Sequence, residues 1–247
     1  MKCTHKKIRV GTSGFSYNHW QGIFYPEDLP RTRWLEFYAE CFDSVEINSS
    51  FYHLPQVSTL KSWYKRTPAY FGFVLKGSRF VTHQKNLKDC EDAVKQFYEV
   101  AQTLKNKLTA VLWQLPPQLE VDAKRLQKFL AILPSKPPAV VEFRNPAWYT
   151  DEVYSIMEQH NVSLCLHDMP SASSPAIAIG PLLYMRFHGP EGKYRGSYSD
   201  EFLMETAMLA KKLAKNDIYA FFNNDFGGHA VVNARTFRGY LMDENLK

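Results

Sequence analysis

Short runs rich in Val, Ile, Leu, Phe and Tyr recur from end to end of the chain, and segments of helical periodicity separate most of them. The runs are IRVGT (8–12), SVEIN (44–48), FGFVLK (71–76), AVLWQL (110–115), AVVEFR (139–144), VSLCLHD (162–168), LLYMRFHG (182–189) and IYAFFNND (218–225). Each has strand length and is bounded by turn residues. Between them, RTRWLEFYAECF, QVSTLKSWYKRT, KDCEDAVKQFYEVAQTLKNK, DAKRLQKFLAIL, TDEVYSIMEQH, DEFLMETAMLAKKLAK and HAVVNARTFRGYLM predict helices. The third repeats apolar residues at helical spacing through Ala93, Phe97, Val100, Ala101 and Leu104. Asp122 opens the fourth as an N-cap and Pro134 stops it. The sixth gap, MPSASSPAIAIGP, is too rich in Pro and Ser for a helix and predicts a loop.

Eight strands alternating with about seven helices over 247 residues fit an α/β fold of one kind. It is a single (β/α)8 TIM-type barrel of eight parallel strands, with the helix after strand 6 replaced by a loop. A doubly wound open sheet usually has fewer strands. It would also put a G-x-G-x-x-G turn after the first strand, where this chain reads GTSGFS. No linker or shift in composition divides residues 1–247, so one domain is expected.

A barrel gives the stretch VEINSSFY (45–52) a meaning. Every second strand residue points inward, and polar residues at the C-terminal strand ends line a cup. Glu46 and Asn48 hold that position on strand 2. The same parity brings in Lys76, Gln114, Glu142 with Arg144, His167 or Asp168, Tyr184 with Arg186 and His188, and Asn223 with Asp225. A salt-bridged plug is the plain alternative, in which Glu46 and Glu142 neutralise Arg144 and Arg186. About ten polar groups at one rim exceed what a plug needs.

Lys76, Arg144 and Arg186 suit an anionic guest, since the arginine fork matches carboxylate or phosphate. Gly227 and Gly228 open a helix after the last strand, where backbone N–H groups favour anions; a plain turn would use the same residues. Phe15, Tyr17, Trp20, Phe51, Tyr52, Trp148, Tyr149, Tyr194 and Tyr198 fall around the rim, either to stack on a ligand or to anchor loops. Two facing carboxylates suggest acid/base work. Glu46, Glu142, His167, Asp168, His188, Asp225 and His229 could ligate a divalent metal, but three cations in the same cup disfavour one, so no metal or other cofactor is expected. His83, on the loop after strand 3, is a secondary candidate.

Charge and cysteines narrow the class further. Lys plus Arg total 30 against 25 Asp plus Glu, and +5 permits an anionic partner without requiring one. There is no arginine-rich segment, zinc-finger spacing or RNA-binding signature. Cys3, Cys41, Cys90 and Cys165 form no C-x-x-C pair and are expected to be reduced thiols. The start MKCTHKKIRV lacks the apolar stretch of a signal peptide, and no apolar run approaches the ~20 residues of a membrane span. A cytoplasmic protein without membrane attachment is expected.

The motifs GTSGFSY, W.G.FYP, VEINSSFY.LP, W...TP..F.F..K, TH, QLPP, VEFRNPAW, RFHG, Y...YS and FNND..GHAVVNA occur in this order. Together they resemble the YecE-like family, also called domain of unknown function 72, over residues from about 8 to 240. The resemblance implies a (β/α)8 barrel and no particular activity. It also implies a relation to endonuclease IV-like barrels, and with it a nucleic-acid substrate, although the His-rich zinc set of those enzymes is not evident. The family's marked residues fall on Glu46, Asn48, Lys76, His83, Gln114, Glu142, Arg144, Arg186, His188 and Asn223. Two positions depart from the pattern: Phe15 stands where Trp is frequent, and Asn145 stands where His commonly follows Arg144.

The expected function is a hydrolase or lyase acting at the barrel mouth on an anionic sugar- or phosphate-containing substrate, with nucleic acid among the candidates. Glu46, Glu142 and His188 are the expected catalytic groups. Asn48, Tyr52, Lys76, His83, Gln114, Arg144, Trp148, Arg186, Asn223, Asp225, Gly227 and Gly228 are the expected substrate contacts. The alternative is a non-catalytic protein that binds a nucleotide or nucleic acid.

Overall fold

The computed structural model describes residues 6–169, 173–192 and 194–246. Its strands are β1 (Ile8–Thr12), β2 (Ser44–Ile47), β3 (Gly72–Lys76), β4 (Leu108–Gln114), β5 (Ala139–Glu142), β6 (Ser163–His167), β7 (Leu182–Phe187) and β8 (Asp217–Phe222). They form one sheet ordered β1-β8-β7-β6-β5-β4-β3-β2, and every pairing is parallel. The helices are α1 (Trp34–Cys41), α2 (Ser49–Tyr52), α3 (Val57–Arg66), α4 (Glu91–Ala101), α5 (Ala123–Ala131), α6 (Asp151–Gln159), α7 (Asp200–Leu213) and α8 (His229–Met242). This is the (β/α)8 barrel. The described part of the β6–β7 connection contains no helix. Residues 170–172 of that loop, Cys3 and His5 lie outside the described residues.

Strand parity divides the apolar residues into two cores. Val74, Ala110, Leu112, Val140, Cys165, Leu182, Tyr184, Tyr219 and Phe221 pack together inside the barrel. Their strand neighbours, among them Phe73, Leu75, Val111, Trp113, Val141, Leu183 and Phe222, face outward into a larger core with the helices. Arg9 plugs the N-terminal end of the barrel: its guanidinium donates to the carbonyls of Asp43 at 2.8 Å and Tyr70 at 3.1 Å. Gly72 leaves room for it, since a Cβ there would lie 2.6 Å from Arg9 Nη1.

The ring closes between β1 and β2 on one bridge, Ser13 to Glu46. Below that bridge a side chain replaces the missing ladder. The Thr12 N–H donates to the Tyr38 hydroxyl at 2.9 Å, and that hydroxyl lies 3.1 Å from the Ser44 carbonyl it donates to. Tyr38→Phe would leave both backbone groups buried without a partner. The expected cost is ~1–3 kcal/mol, read as a lower urea midpoint at unchanged slope. An unchanged midpoint would mean that the seam does not depend on this hydroxyl.

One helix is shorter than its periodicity predicts. α4 ends at Ala101, and residues 102–107 tighten into a 3-10 turn in which Lys105 adopts φ 49°. The turn reverses the chain so that Lys107 can reach the carbonyls of Tyr64 and Thr67, each at 2.6 Å, at the C-terminal end of α3. A cation there meets the negative pole of that helix.

Candidate functional site at the barrel mouth

Continuing the inner face beyond the interior core leads to Glu46, Lys76, Gln114, Glu142, His167, Arg186, His188 and Asn223. All of them except Gln114 are buried. Arg186 is the hub. It crosses the barrel from β7 and donates through Nη2 to Glu46 Oε1 at 2.7 Å and through Nη1 to Glu142 Oε2 at 2.6 Å. Its Nε reaches Glu46 at 3.1 Å and its Nη2 reaches Asn48 Oδ1 at 3.4 Å. Glu46 also accepts from Ser13 and from Tyr184, each at 2.6 Å. Arg144 closes the chain of charges, with Nε against Glu142 Oε1 and Nη2 3.0 Å from His188 Nε2.

The electrostatics follow from burial and pairing. Burial alone would raise Glu142, but Arg144 and Arg186 overcome it and hold the carboxyl well below the ordinary range. Burial would lower Arg186, and Glu142 and Glu46 outweigh it, so its pKa lies well above the usual value. His188 is driven down to about 3, first by burial and then by Arg186, so its imidazole is neutral near pH 7. Arg144 Nη2 lies 3.0 Å from Nε2 and Asn223 Nδ2 lies 3.4 Å from Nδ1; both are donors, and a neutral ring has one acceptor nitrogen, so it accepts from one of the two. Lys76 differs from the other cations. Its ammonium sits 4.2 Å over the Phe51 ring and makes no ion pair among the described residues. Burial, followed by Arg186, lowers it to about 7.

Several expectations need correction. Glu46 and Glu142 both end on Arg186, so they do not face each other across a gap that could admit a substrate. Arg186, 2% exposed, is spent on those carboxylates and has no face free for an external anion. Trp148 is fully buried, stacked on Phe143 and bonded to the Leu119 carbonyl at 2.9 Å; it anchors the loop after β5 and offers no stacking face. Asp225 turns to the β1 loop: its carbonyl accepts from Trp20 Nε1 at 2.8 Å and its carboxylate lies 3.4 Å from His19. Gly227 (φ 68°) and Gly228 (φ 77°) form a left-handed turn, with the Gly228 N–H bonded back to the Asp225 carbonyl at 3.1 Å. They serve the turn. Tyr52 is 67% exposed at the rim, and Gln114 is half-buried there.

His83 joins the site by a route the sequence conceals. A π-turn at Phe80–Gln84 presents its ring edge-on to Phe51, 5.0 Å between centroids, on the same aromatic that carries Lys76. Burial, then Lys76, lowers His83 to about 4. Of the pair left open at the end of β6, His167 points inward, with Nε2 2.8 Å from the Phe143 carbonyl. Asp168 instead accepts from the His188 backbone N–H at 2.8 Å and from the Tyr198 hydroxyl, pinning the start of the loop that carries His188. Ser13 is not among the expected site residues, whereas Tyr184 is expected in the cup and Phe51 at the rim. Inward parity along β1 from Arg9 through Gly11 reaches Ser13.

Glu142, His167 and His188 place possible metal-donor atoms within 4.8 Å of one another. As arranged they do not fit a cation. Both Glu142 oxygens face guanidinium groups, and the carbonyl acceptor at His167 Nε2 requires that nitrogen to carry a proton.

A family model described as a protein of unknown function, DUF72, matches residues 9–247. The chain belongs to the DUF72 family. The UPF0759 protein YunF of Bacillus subtilis is 25% identical over 92% of this chain and 92% of its own length. The UPF0759 protein YecE of Escherichia coli K12 is 31% identical over 47% of this chain and 43% of its own. A crystal structure of a DUF72 family protein from Thermotoga maritima, 29% identical, covers 96% of this chain and 100% of that one with a TM-score of 0.87. Membership in DUF72 and the barrel therefore agree with the resemblance drawn from the ordered motifs.

Proposed function

We propose that the barrel mouth of this DUF72 protein is the active site of an enzyme acting on an anionic sugar- or phosphate-bearing substrate by hydrolase or lyase chemistry. One observation carries the proposal. Two carboxylates, Glu46 and Glu142, balance two guanidiniums, Arg144 and Arg186, and Lys76 remains as a desolvated cation with no ion-pair partner among the described residues. A structural plug would pair every charge or omit the fifth. An anion entering the mouth would meet Lys76 and the outer side of Arg144, with the amides of Asn48, Gln114 and Asn223 around it. The Glu46–Arg186–Glu142 chain holds the floor rigid, and His188 orients Arg144. Among the described residues no helix is long and apolar enough to cross a membrane, and the free thiols Cys41, Cys90 and Cys165 suit a reducing cytoplasm.

Sulfate tests the anion site, because its own charge does not change across the range used. Lys76 faces Arg186, Arg144, Glu142, Glu46 and His83. Its charged form predominates below about pH 7, so affinity should be highest there and weaken as pH rises to 9. The expected loss is about tenfold or more by calorimetry, and Arg144→Ala should weaken binding at every pH. Turnover is sought with phosphodiesters, abasic DNA and aryl glycosides. No binding of sulfate at pH 6 would remove the proposal.

A binding role without turnover draws on the exposed aromatics Tyr52, Tyr194 and Phe226, the last with Arg195 5.0 Å over its ring. Steeply salt-dependent binding of an oligonucleotide without any product would favour it.

A further inference from the structure

Resting on the anion site just described, we infer that Lys76 is a covalent catalyst whose Nζ condenses with an aldehyde or ketone carbonyl of the anionic substrate to form an imine. The geometry has the parts this chemistry needs. Lys76 ends β3 at the C-terminal rim of the barrel, with its amine over the Phe51 ring. It is 9% exposed, and among the described residues no carboxylate forms an ion pair with it. The Phe51 ring beneath it fixes the side chain without supplying a hydrogen-bond acceptor. Desolvation and a neighbouring cation are the two devices that keep a lysine amine unprotonated and nucleophilic. Both are present: Lys76 is buried, and Arg186 and Arg144 lie close enough to depress it further.

In the reaction the Nζ lone pair forms a bond to the carbonyl carbon, and the carbonyl π electrons move to oxygen, which takes up a proton. The resulting carbinolamine loses that oxygen as water while nitrogen forms the second bond to carbon. The sum is carbonyl plus primary amine giving imine plus water, with no oxidant or reductant. A proton must pass from nitrogen to the departing oxygen, and His83 is placed to carry it. Its Nδ1 lies 2.8 Å from Thr82 Oγ1, its other nitrogen has no partner among the described residues, and its ring shares Phe51 with Lys76. Arg144 would hold a phosphate or carboxylate on the same molecule. The substrate class is therefore a phosphorylated or carboxylated aldehyde or ketone.

Reductive trapping tests this. The full chain is incubated at pH 7.5 with glyceraldehyde 3-phosphate and cyanoborohydride, and peptides are mapped by mass spectrometry. The expected result is one dominant reduced adduct at Lys76, formed at least tenfold faster than at any surface lysine. Excess sulfate should suppress it, it should be absent from Lys76→Met, and His83→Gln should slow it. Uncharged glyceraldehyde should label Lys76 more slowly. Sulfate binding without a preferred adduct at Lys76 overturns the imine alone. Absence of both overturns the anion site with it.

Discussion

Arg186→Met should cost the fold about 3–5 kcal/mol. The guanidinium is the meeting point of Glu46 and Glu142, each fully buried, and its removal leaves Glu46 without an ion pair among the described residues and Glu142 with Arg144 only. Breaking one partner of a buried ion pair is penalised in this range, because the remaining charge keeps its desolvation cost and loses its attraction. The loss should be visible in urea unfolding at neutral pH. It should shrink when Glu46→Gln and Glu142→Gln are added, since neutral amides no longer need the cation. A loss under ~1 kcal/mol for the single variant would mean that water, and not Arg186, satisfies the carboxylates.

Lys76→Met should move stability in the opposite direction. A lysine lowered from 10.5 to about 7 binds its proton less well in the folded chain than in the unfolded one. Between those two values the unfolded state holds more protons, so stability rises with pH across the window, and the full penalty of charging Lys76 falls below about pH 7. Methionine removes the charge and keeps the volume over Phe51. At pH 7 a gain on the order of 3–4 kcal/mol is expected from the size of the shift. The gain should diminish toward pH 10, where the native lysine is uncharged in the folded chain. A destabilised variant would show that Lys76 holds the fold together as the arginines do. Stability lost to a group whose removal improves the fold is characteristic of a functional site.

The barrel was legible in the sequence because its signals are local. Each strand announces itself by β-branched and aromatic residues between turns, and the period of two assigns Glu46, Glu142 and Arg186 to one face before any coordinate is known. That parity rests on strand ends such as His167 and Asn223, whose inward direction follows from Cys165 and Phe221 two residues earlier. Pairing across the barrel was not legible. Glu46 and Arg186 are 140 positions apart, and their contact depends on register around the ring, which one sequence does not encode locally. The π-turn that brings His83 to Phe51 likewise has no compositional mark. Trp148 and Asp225 misled because a rim position does not say whether a side chain faces the mouth or the loops beside it. Tyr38 was invisible for a related reason: its hydroxyl acts at a seam that exists only once β1 and β2 are brought together.

The ionisation of Lys76 itself is the most direct measurement. With lysine labelled at the side-chain nitrogen and Lys76→Met used to assign the signal, the resonance can be followed by NMR from pH 5 to 11. A midpoint near 7 that climbs when sulfate is added is expected, because an anion at the mouth would favour the charged form. A midpoint near the ordinary 10.5, indifferent to sulfate, would contradict both the unpaired buried cation and the site built around it.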